Sequence, residues 1–436
     1  MARVLLLATT TGYQTRAFGD AAERLGVELV FATDRCHVLD DPWRDGAIPI
    51  RFYDEDGSVA AILDAARLSP LDGVLVVGDR PTVIAARVMQ GLGLPGHSPE
   101  AAAMARNKQR TRERLRDAGL PVPWFVASPV DADPDELAST LSFPCVVKPV
   151  ALSASRGVMR ADDPDAFRVA FERLRRLLRL PDIRAERNDA HDVVLVEGFI
   201  SGREFALEGL LHHGTLKVLA LFDKPDPLDG PFFEETIYVT PSSMPVEVQQ
   251  QIADAVACAA AAIGLRHGPI HAECRVNDRG VFVLEVAARP IGGLCARAIK
   301  GVGRGFCVVA SLKNPSRPLF SLEDLLLRHA LGESPDGWSR EPRASGVMMI
   351  PIPGRGVYRG VSGIDDARLI EGIEDVTITA KADQRLVPLP EGASYLGFIF
   401  AHGEKAEAVE RALREAHARL HVTLDPELRV LPSRRT

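Results

Sequence analysis

Over the first ninety or so positions, short apolar runs at 4–7, 29–31 and 74–77 alternate with stretches at 15–25 and 58–67 whose apolar residues recur at helical spacing. Strands that alternate with helices in this way predict a parallel sheet covered on its faces. The turn after the first run, Thr9-Thr10-Thr11-Gly12, lacks the three glycines of a dinucleotide-binding turn, which argues against a nicotinamide or flavin protein. A helix is expected from Ser98 and Pro99 through Lys108 to about Ala118, with Gly119 placed to stop it. Past Pro121 and Pro123 a new unit is expected. It has a strand over 143–149, a loop of small residues over 152–157, a helix over 164–178 and strands over 193–197 and 204–211. Positions 223–245 are polar and rich in proline, the composition of a loop over a cleft. A helix over 246–263 follows. From Ser345 a further unit is expected, with strands over 347–352, 376–380 and 396–401, a glycine-rich turn at 353–356 and a helix over 405–420.

Between that long helix and the last unit, His271-Ala272-Glu273-Cys274-Arg275-Val276 and Val281-Phe282-Val283-Leu284-Glu285-Val286 read as two strands of a hairpin. If Asp278-Arg279-Gly280 is a three-residue loop with Gly280 left-handed, Asn277 faces Val281 and Glu273 lies opposite Glu285. Opposed carboxylates repel, so such a pair calls for a cation between them or a proton on one. Paired oxygen ligands with room for water and phosphate suit Mg²⁺ better than zinc. A solvated strand face in a neighbouring register stays open as the alternative. Four residues past Glu285 come Arg289, Pro290, Ile291, Gly292 and Gly293, a guanidinium with unobstructed backbone amides, which is an oxyanion-binding arrangement.

At 436 residues the chain has room for two to four domains. A net charge of −7 argues against binding nucleic acid by general attraction, yet allows a small anion held by a few local cations. Six cysteines (Cys36, Cys145, Cys258, Cys274, Cys295 and Cys307) show no CxxC pairing and no histidine at zinc spacing, so reduced thiols are expected. The apolar run at the start is too short for a signal peptide, and no stretch of about 18 apolar residues occurs, so the chain is expected in the cytoplasm, off the membrane. Its oligomeric state is open, a homodimer being common among soluble enzymes.

Taken in order, Lys108, Lys148, the small-residue loop, Val196-Glu197-Gly198-Phe199-Ile200-Ser201-Gly202-Arg203-Glu204, and the paired glutamates followed by Arg289 and Gly292-Gly293 resemble the ATP-grasp superfamily over nearly the whole chain. The resemblance implies an α/β protein. An N-terminal parallel α/β domain spans 1–95 and an ATP-grasp domain 96–310, with a lid subdomain at about 150–215; a C-terminal α+β domain spans 311–436. It implies ATP and Mg²⁺ as cofactors. Lys108 and Lys148 would reach the nucleotide phosphates as point charges. Ser153, Ser155 and Gly157 belong to the segment that resembles a lid closing over those phosphates. The backbone from Glu197 through Phe199 to Ile200 would bind adenine, and Glu204 the ribose. Glu273 and Glu285 match the metal ligands, and Arg289 the arginine that steadies the transferring phosphoryl group or the substrate carboxylate.

Two departures from the family pattern stand out: Ala287 replaces a frequent asparagine ligand, and the lid is poorer in glycine than in biotin-carboxylase-like members, with no Met-Lys-Met carrier motif. The resemblance implies small-molecule carboxylate and amine substrates. The carboxylate is phosphorylated and the acyl phosphate is attacked by the amine, giving an amide or dipeptide as in the L-amino-acid ligase branch. Arg289, Gly292 and Gly293 would stabilise the tetrahedral oxyanion, and His271 or Glu235 would serve as general base. The alternatives are a phosphoribosylamine-glycine ligase, a carboxylase-like enzyme and an ATP-binding sensor without catalysis. Lys224, within Asp223-Lys224-Pro225, either faces the cleft or is an ordinary loop lysine.

Overall fold

The structure is a computed structural model that describes residues 1–8, 13–34, 47–303 and 319–426. The expected turn Thr9-Thr10-Thr11-Gly12, the boundary near 310, and Cys36 and Cys307 lie outside the described residues. The N-terminal strands Ile48–Ile50, Glu28–Asp34, Arg3–Ala8 and Gly73–Val77 form a parallel sheet in that order. Helices Tyr13–Leu25 and Glu55–Leu68 lie between strands, as the alternating pattern predicts, and helix Thr82–Leu92 follows the last strand.

A four-stranded antiparallel sheet follows, ordered Phe125–Pro129, Val193–Gly198, Cys145–Pro149 and Met159–Ala161. Helix Pro164–Leu178, capped by Asp163, buries Phe167, Phe171 and Leu174 against it. This unit therefore starts near 125 and ends near 198. The expected lid span of 150–215 is displaced, because strand Arg203–His212 belongs to another sheet.

That sheet has eight antiparallel strands, ordered Gly280–Ala287, Gly268–Asn277, Arg203–His212, Thr215–Asp223, Ile237–Thr240, Ala344–Ile350, Gly397–Gly403 and Ile373–Ile378. The last three come from the expected C-terminal unit. They continue the central sheet instead of forming one of their own, so Ile237, Val239, Met348 and Ile399 share a core. Strand Ile237–Thr240, hidden in the polar 223–245 stretch, is the missing link between the halves. Local pattern conceals it because four buried residues are too short a run to separate from a loop.

A second core joins Val4, Leu6 and Leu75 of the parallel sheet to Phe222, Leu326 and Phe398, and so sets the N-terminal unit against one face of the large sheet. The helix expected from 98 to 118 is two helices, Pro99–Ala105 and Lys108–Asp117. Asn107 interrupts it: its side chain accepts the Arg110 N–H at 3.0 Å and caps a new start. This break puts Lys108 in the first turn, where its N–H donates to the Val150 carbonyl.

Candidate active site

One cavity of about 320 Å³ lies where the parallel sheet and the four-stranded sheet meet the large sheet, and its lining includes Lys108, Lys148, Ser153, Ser155, Glu197, Phe199, Ile200, Glu204, His271, Glu273, Glu285, Arg289, Gly292 and Gly293. Gly157 is not among the lining residues. Its N–H donates to the Pro390 carbonyl, and a Cβ there would stand 2.9 Å from both Leu174 and Leu177. Arg156 binds the Glu391 carbonyl at 2.8 Å, so the back of the small-residue loop is tied to the C-terminal unit while Ser153 and Ser155 face the cavity.

The glutamate hairpin differs from expectation in its turn. Asn277 pairs with Gly280, leaving a two-residue loop, Asp278-Arg279. A bulge at Leu284 shifts the register by one, so Glu273 still stands opposite Glu285. Each carboxylate has its own lysine: Lys108 Nζ lies 3.0 Å from Glu285, and Lys224 Nζ lies 3.1 Å from Glu273. Lys224 is fully inside, touching Glu204 and Glu235 as well. Sequence reasoning left it between cleft and surface; the polar loop that carries it offered no periodicity to decide. Glu204, Glu235 and Glu273 together form a carboxylate cluster able to hold a cation.

Lys148 ends an apolar strand and is buried against Glu197, whose two oxygens also accept from Arg112 Nε at 2.8 Å and Nη2 at 3.3 Å. Burial lowers Lys148 to about 8 despite the attraction of Glu197. Burial alone would raise Glu197, but Arg112 and Lys148 outweigh it and hold the carboxyl at about 2. Arg112 was not anticipated. On an arginine-rich helix only depth marks it, and depth is not written in the sequence.

Part of the backbone expected to meet adenine is already engaged within the protein. The Gly198 and Phe199 N–H groups already donate to the Trp124 and Pro144 carbonyls, and the Ile200 carbonyl accepts from Arg275 at 2.7 Å. The segment also offers the Phe199 ring, with the Arg275 guanidinium over it at 5.2 Å and Phe233 stacked at 6.4 Å. Glu204 is not a free acceptor, since Lys224 Nζ at 2.9 Å and Arg275 Nε at 2.8 Å both hold it.

On the far side of the glutamates, Arg289 is clamped by Asp79, with Nε and Nη2 at 2.8 and 3.1 Å from its two oxygens. Asp79 follows the last parallel strand at Gly78, so the N-terminal unit orients this guanidinium. Gly293 has φ +62, and its carbonyl accepts from Gln14 at 2.7 Å. The Ile291 N–H donates to both oxygens of the buried Glu208, which also binds His271 Nδ1 at 3.2 Å. Burial opposes a charge on His271, yet hydrogen bonds to Glu208 and Glu273 raise it to about 9. These hydrogen bonds favour the charged imidazole, which weakens His271 as the expected general base. Glu235 suits that role better: burial, then the nearby charge of Glu273, raises it to about 7, and Tyr238 donates to it at 2.8 Å.

The sequence matches three family profiles: the ATP-grasp N-terminal domain over 19–96, the ATP-grasp domain over 141–298, and the L-amino acid ligase C-terminal domain 2 over 348–425. A crystal structure of an L-amino acid ligase from Bacillus licheniformis superposes with a TM-score of 0.79 at 27% identity, covering 98% of this chain and 99% of that one. The protein y4rH of Sinorhizobium fredii is 24% identical over 98% of this chain and 84% of its own length. A D-alanine–D-alanine ligase of Aromatoleum aromaticum is 30% identical over 216 residues, 48% of this chain and 66% of that ligase. The chain belongs to the carboxylate–amine ligases of the ATP-grasp superfamily. Among the described residues, no helix is long and apolar enough to cross a membrane.

Proposed function

We propose that this protein phosphorylates a small carboxylate, an amino acid, with ATP and joins the acyl phosphate to an amine, releasing an amide or dipeptide, ADP and phosphate. The observation that carries the reading is the meeting in one cavity of three parts: the lysines 108 and 148, the opposed Glu273 and Glu285, and the Arg289 to Gly293 anion site. Lys108 and Lys148 offset phosphate charge, and the Phe199 ring packs beside the base. Glu273 and Glu285 offer paired hard oxygens of the kind Mg²⁺ takes, and Lys108 and Lys224 now supply the positive charge they require. Bound there, Mg²⁺ would neutralise the charge that develops on the transferring phosphoryl group.

Arg289, held rigid by Asp79, orients the acid through its remaining donors. The exposed Gly292 amide region leaves space for the tetrahedral oxyanion, since a Cβ there would meet nothing within 4 Å. Glu235 accepts the proton of the attacking amine, and His271 holds its charge beside Glu273. The domain order proposed is a parallel α/β unit, the nucleotide-binding sheets and a C-terminal extension of the large sheet.

Release of ADP and phosphate, measured over amino acids singly and in pairs, tests the reading. Turnover that needs two amino acids supports it. Dependence on bicarbonate would make the protein a carboxylase, and nucleotide binding with no turnover would make it a sensor. A pH profile adds an independent check, because Lys148 carries its charge only below about 8. The kcat/KM for ATP is expected to fall as pH rises through that value, and Lys148→Arg, which stays charged, to lose that basic limb. An unchanged limb in Lys148→Arg would assign it to another group.

A further inference from the structure

Remote from the cavity, four histidines gather where three elements end. His212 closes strand Arg203–His212, and His213 with Gly214 makes the tight turn to the next strand, both at positive φ (+51° and +91°) as a type I′ turn requires. His267 directly precedes strand Gly268–Asn277. His329 lies in the last turn of helix Leu322–Ala330, which belongs to the core shared with the N-terminal unit. The His267 and His329 rings stack at 4.2 Å, and His212 lies 5.3 Å from each.

We propose that His212, His267 and His329 form a binding site for one divalent transition-metal ion of the zinc class, which ties the hairpin tip and strand Gly268–Asn277 to helix Leu322–Ala330. Each imidazole brings a ring nitrogen within 4.8 Å of those of the others. His212 Nδ1 and His329 Nε2 are already 3.2 Å apart, close to the ~3.3 Å between two nitrogens on a tetrahedral ion with bonds of 2.0–2.1 Å. His267 Nδ1 is buried without a hydrogen-bond partner, a cost that a metal bond would remove. The neutral ring is the ligating form, and both His267 and His329 are buried. Three imidazoles suit zinc, cobalt or nickel rather than magnesium or calcium.

His97 completes the surroundings without joining the ligands. Its Nδ1 accepts the Arg266 N–H at 3.2 Å and its Nε2 lies 3.4 Å from the Pro269 carbonyl, so it fixes the backbone on both sides of His267. A small cavity of about 30 Å³ borders His97, His267 and His329. His213, its ring 4.9 Å from that of His267, is near enough to supply a fourth ligand from the turn. Six residues, roughly 20 Å of strand, separate His267 from Glu273, so this site is distinct from the proposed magnesium site.

The full chain, stripped with chelator and held with MgADP, is titrated with Zn²⁺ and with Co²⁺. One equivalent is expected to bind, with a tetrahedral Co²⁺ absorption band and a higher unfolding temperature. His212→Asn and His329→Asn are each expected to weaken binding at least tenfold, while Glu273→Gln leaves it intact. Absence of stoichiometric binding in the parent chain overturns the proposal, as does binding that survives the double histidine variant or disappears in Glu273→Gln. Should a histidine variant fail to fold, X-ray absorption of the parent's zinc decides: three or more imidazole ligands support the site, and carboxylate-dominated coordination overturns it.

Discussion

Replacing Lys148 by alanine is expected to lower ATP-dependent turnover about 10²–10³-fold, the usual cost of removing one preorganised group that offsets charge in the transition state. The fold should survive. Glu197 keeps Arg112 at two positions when the lysine is gone, so no buried carboxylate is left alone. The ammonium is itself strained by burial, as its lowered pKa of about 8 records, so its removal relieves a desolvation cost that offsets part of the lost packing. Release of ADP by the purified variant, beside its unfolding temperature, checks both halves. Activity within threefold of the parent in a folded variant would take Lys148 out of phosphoryl transfer.

Arg112→Ala is expected to have the opposite profile, with stability lost first. Its guanidinium is 1% exposed and binds both oxygens of Glu197 and the Val283 carbonyl at 3.0 Å. Truncation leaves one lysine against a fully buried carboxylate and a carbonyl without its donor, a loss of ~3–5 kcal/mol for breaking such a pair. The effect should depend on acidity. Glu197 titrates at about 2 when folded, below its ordinary value of 4.5, so the stability it contributes is complete above pH 4.5 and is lost as pH falls towards 2. Chemical denaturation of parent and variant should therefore show a gap that is full at pH 7 and narrows below pH 4.5. A gap under ~1 kcal/mol at pH 7 would mean that Lys148 alone satisfies Glu197.

The meeting of the lysines and glutamates in one cavity was partly legible in the chain because these groups sit at the ends of apolar runs. Lys148 is the one cation of the buried strand Cys145–Pro149, and Glu273 and Glu285 flank a short turn, so period-two alternation points to the pairing of the two glutamates. The pairing of Glu273 with Glu285 is the expected one, but the turn that produces it is not. A two-residue loop and a bulge at Leu284 together give the register that a three-residue loop alone would have given. The substrate side was far less legible. Asp79 and Glu208 lie 210 and 81 residues before Arg289, and nothing local marks them as neighbours of the site, whereas Glu235, 54 residues before it, is named only as one of two candidate bases. The carboxylate that favours a charged His271, Glu208, arrives from the adjacent strand and so could not be read from the residues around the histidine.

The amino-acid sequence by itself determined the element types: a parallel α/β start, buried strands carrying Lys148 and the two glutamates, and helices 164–178 and 246–263 at their observed bounds. These follow from contacts a few residues apart, which periodicity and capping record. Tertiary structure alone decided that the C-terminal strands continue the central sheet, that Lys224 is buried among three carboxylates, and that His271 is paired with the buried Glu208. Burial and charge at a point depend on everything packed around it, and residues far apart in the chain supply most of what surrounds this cavity.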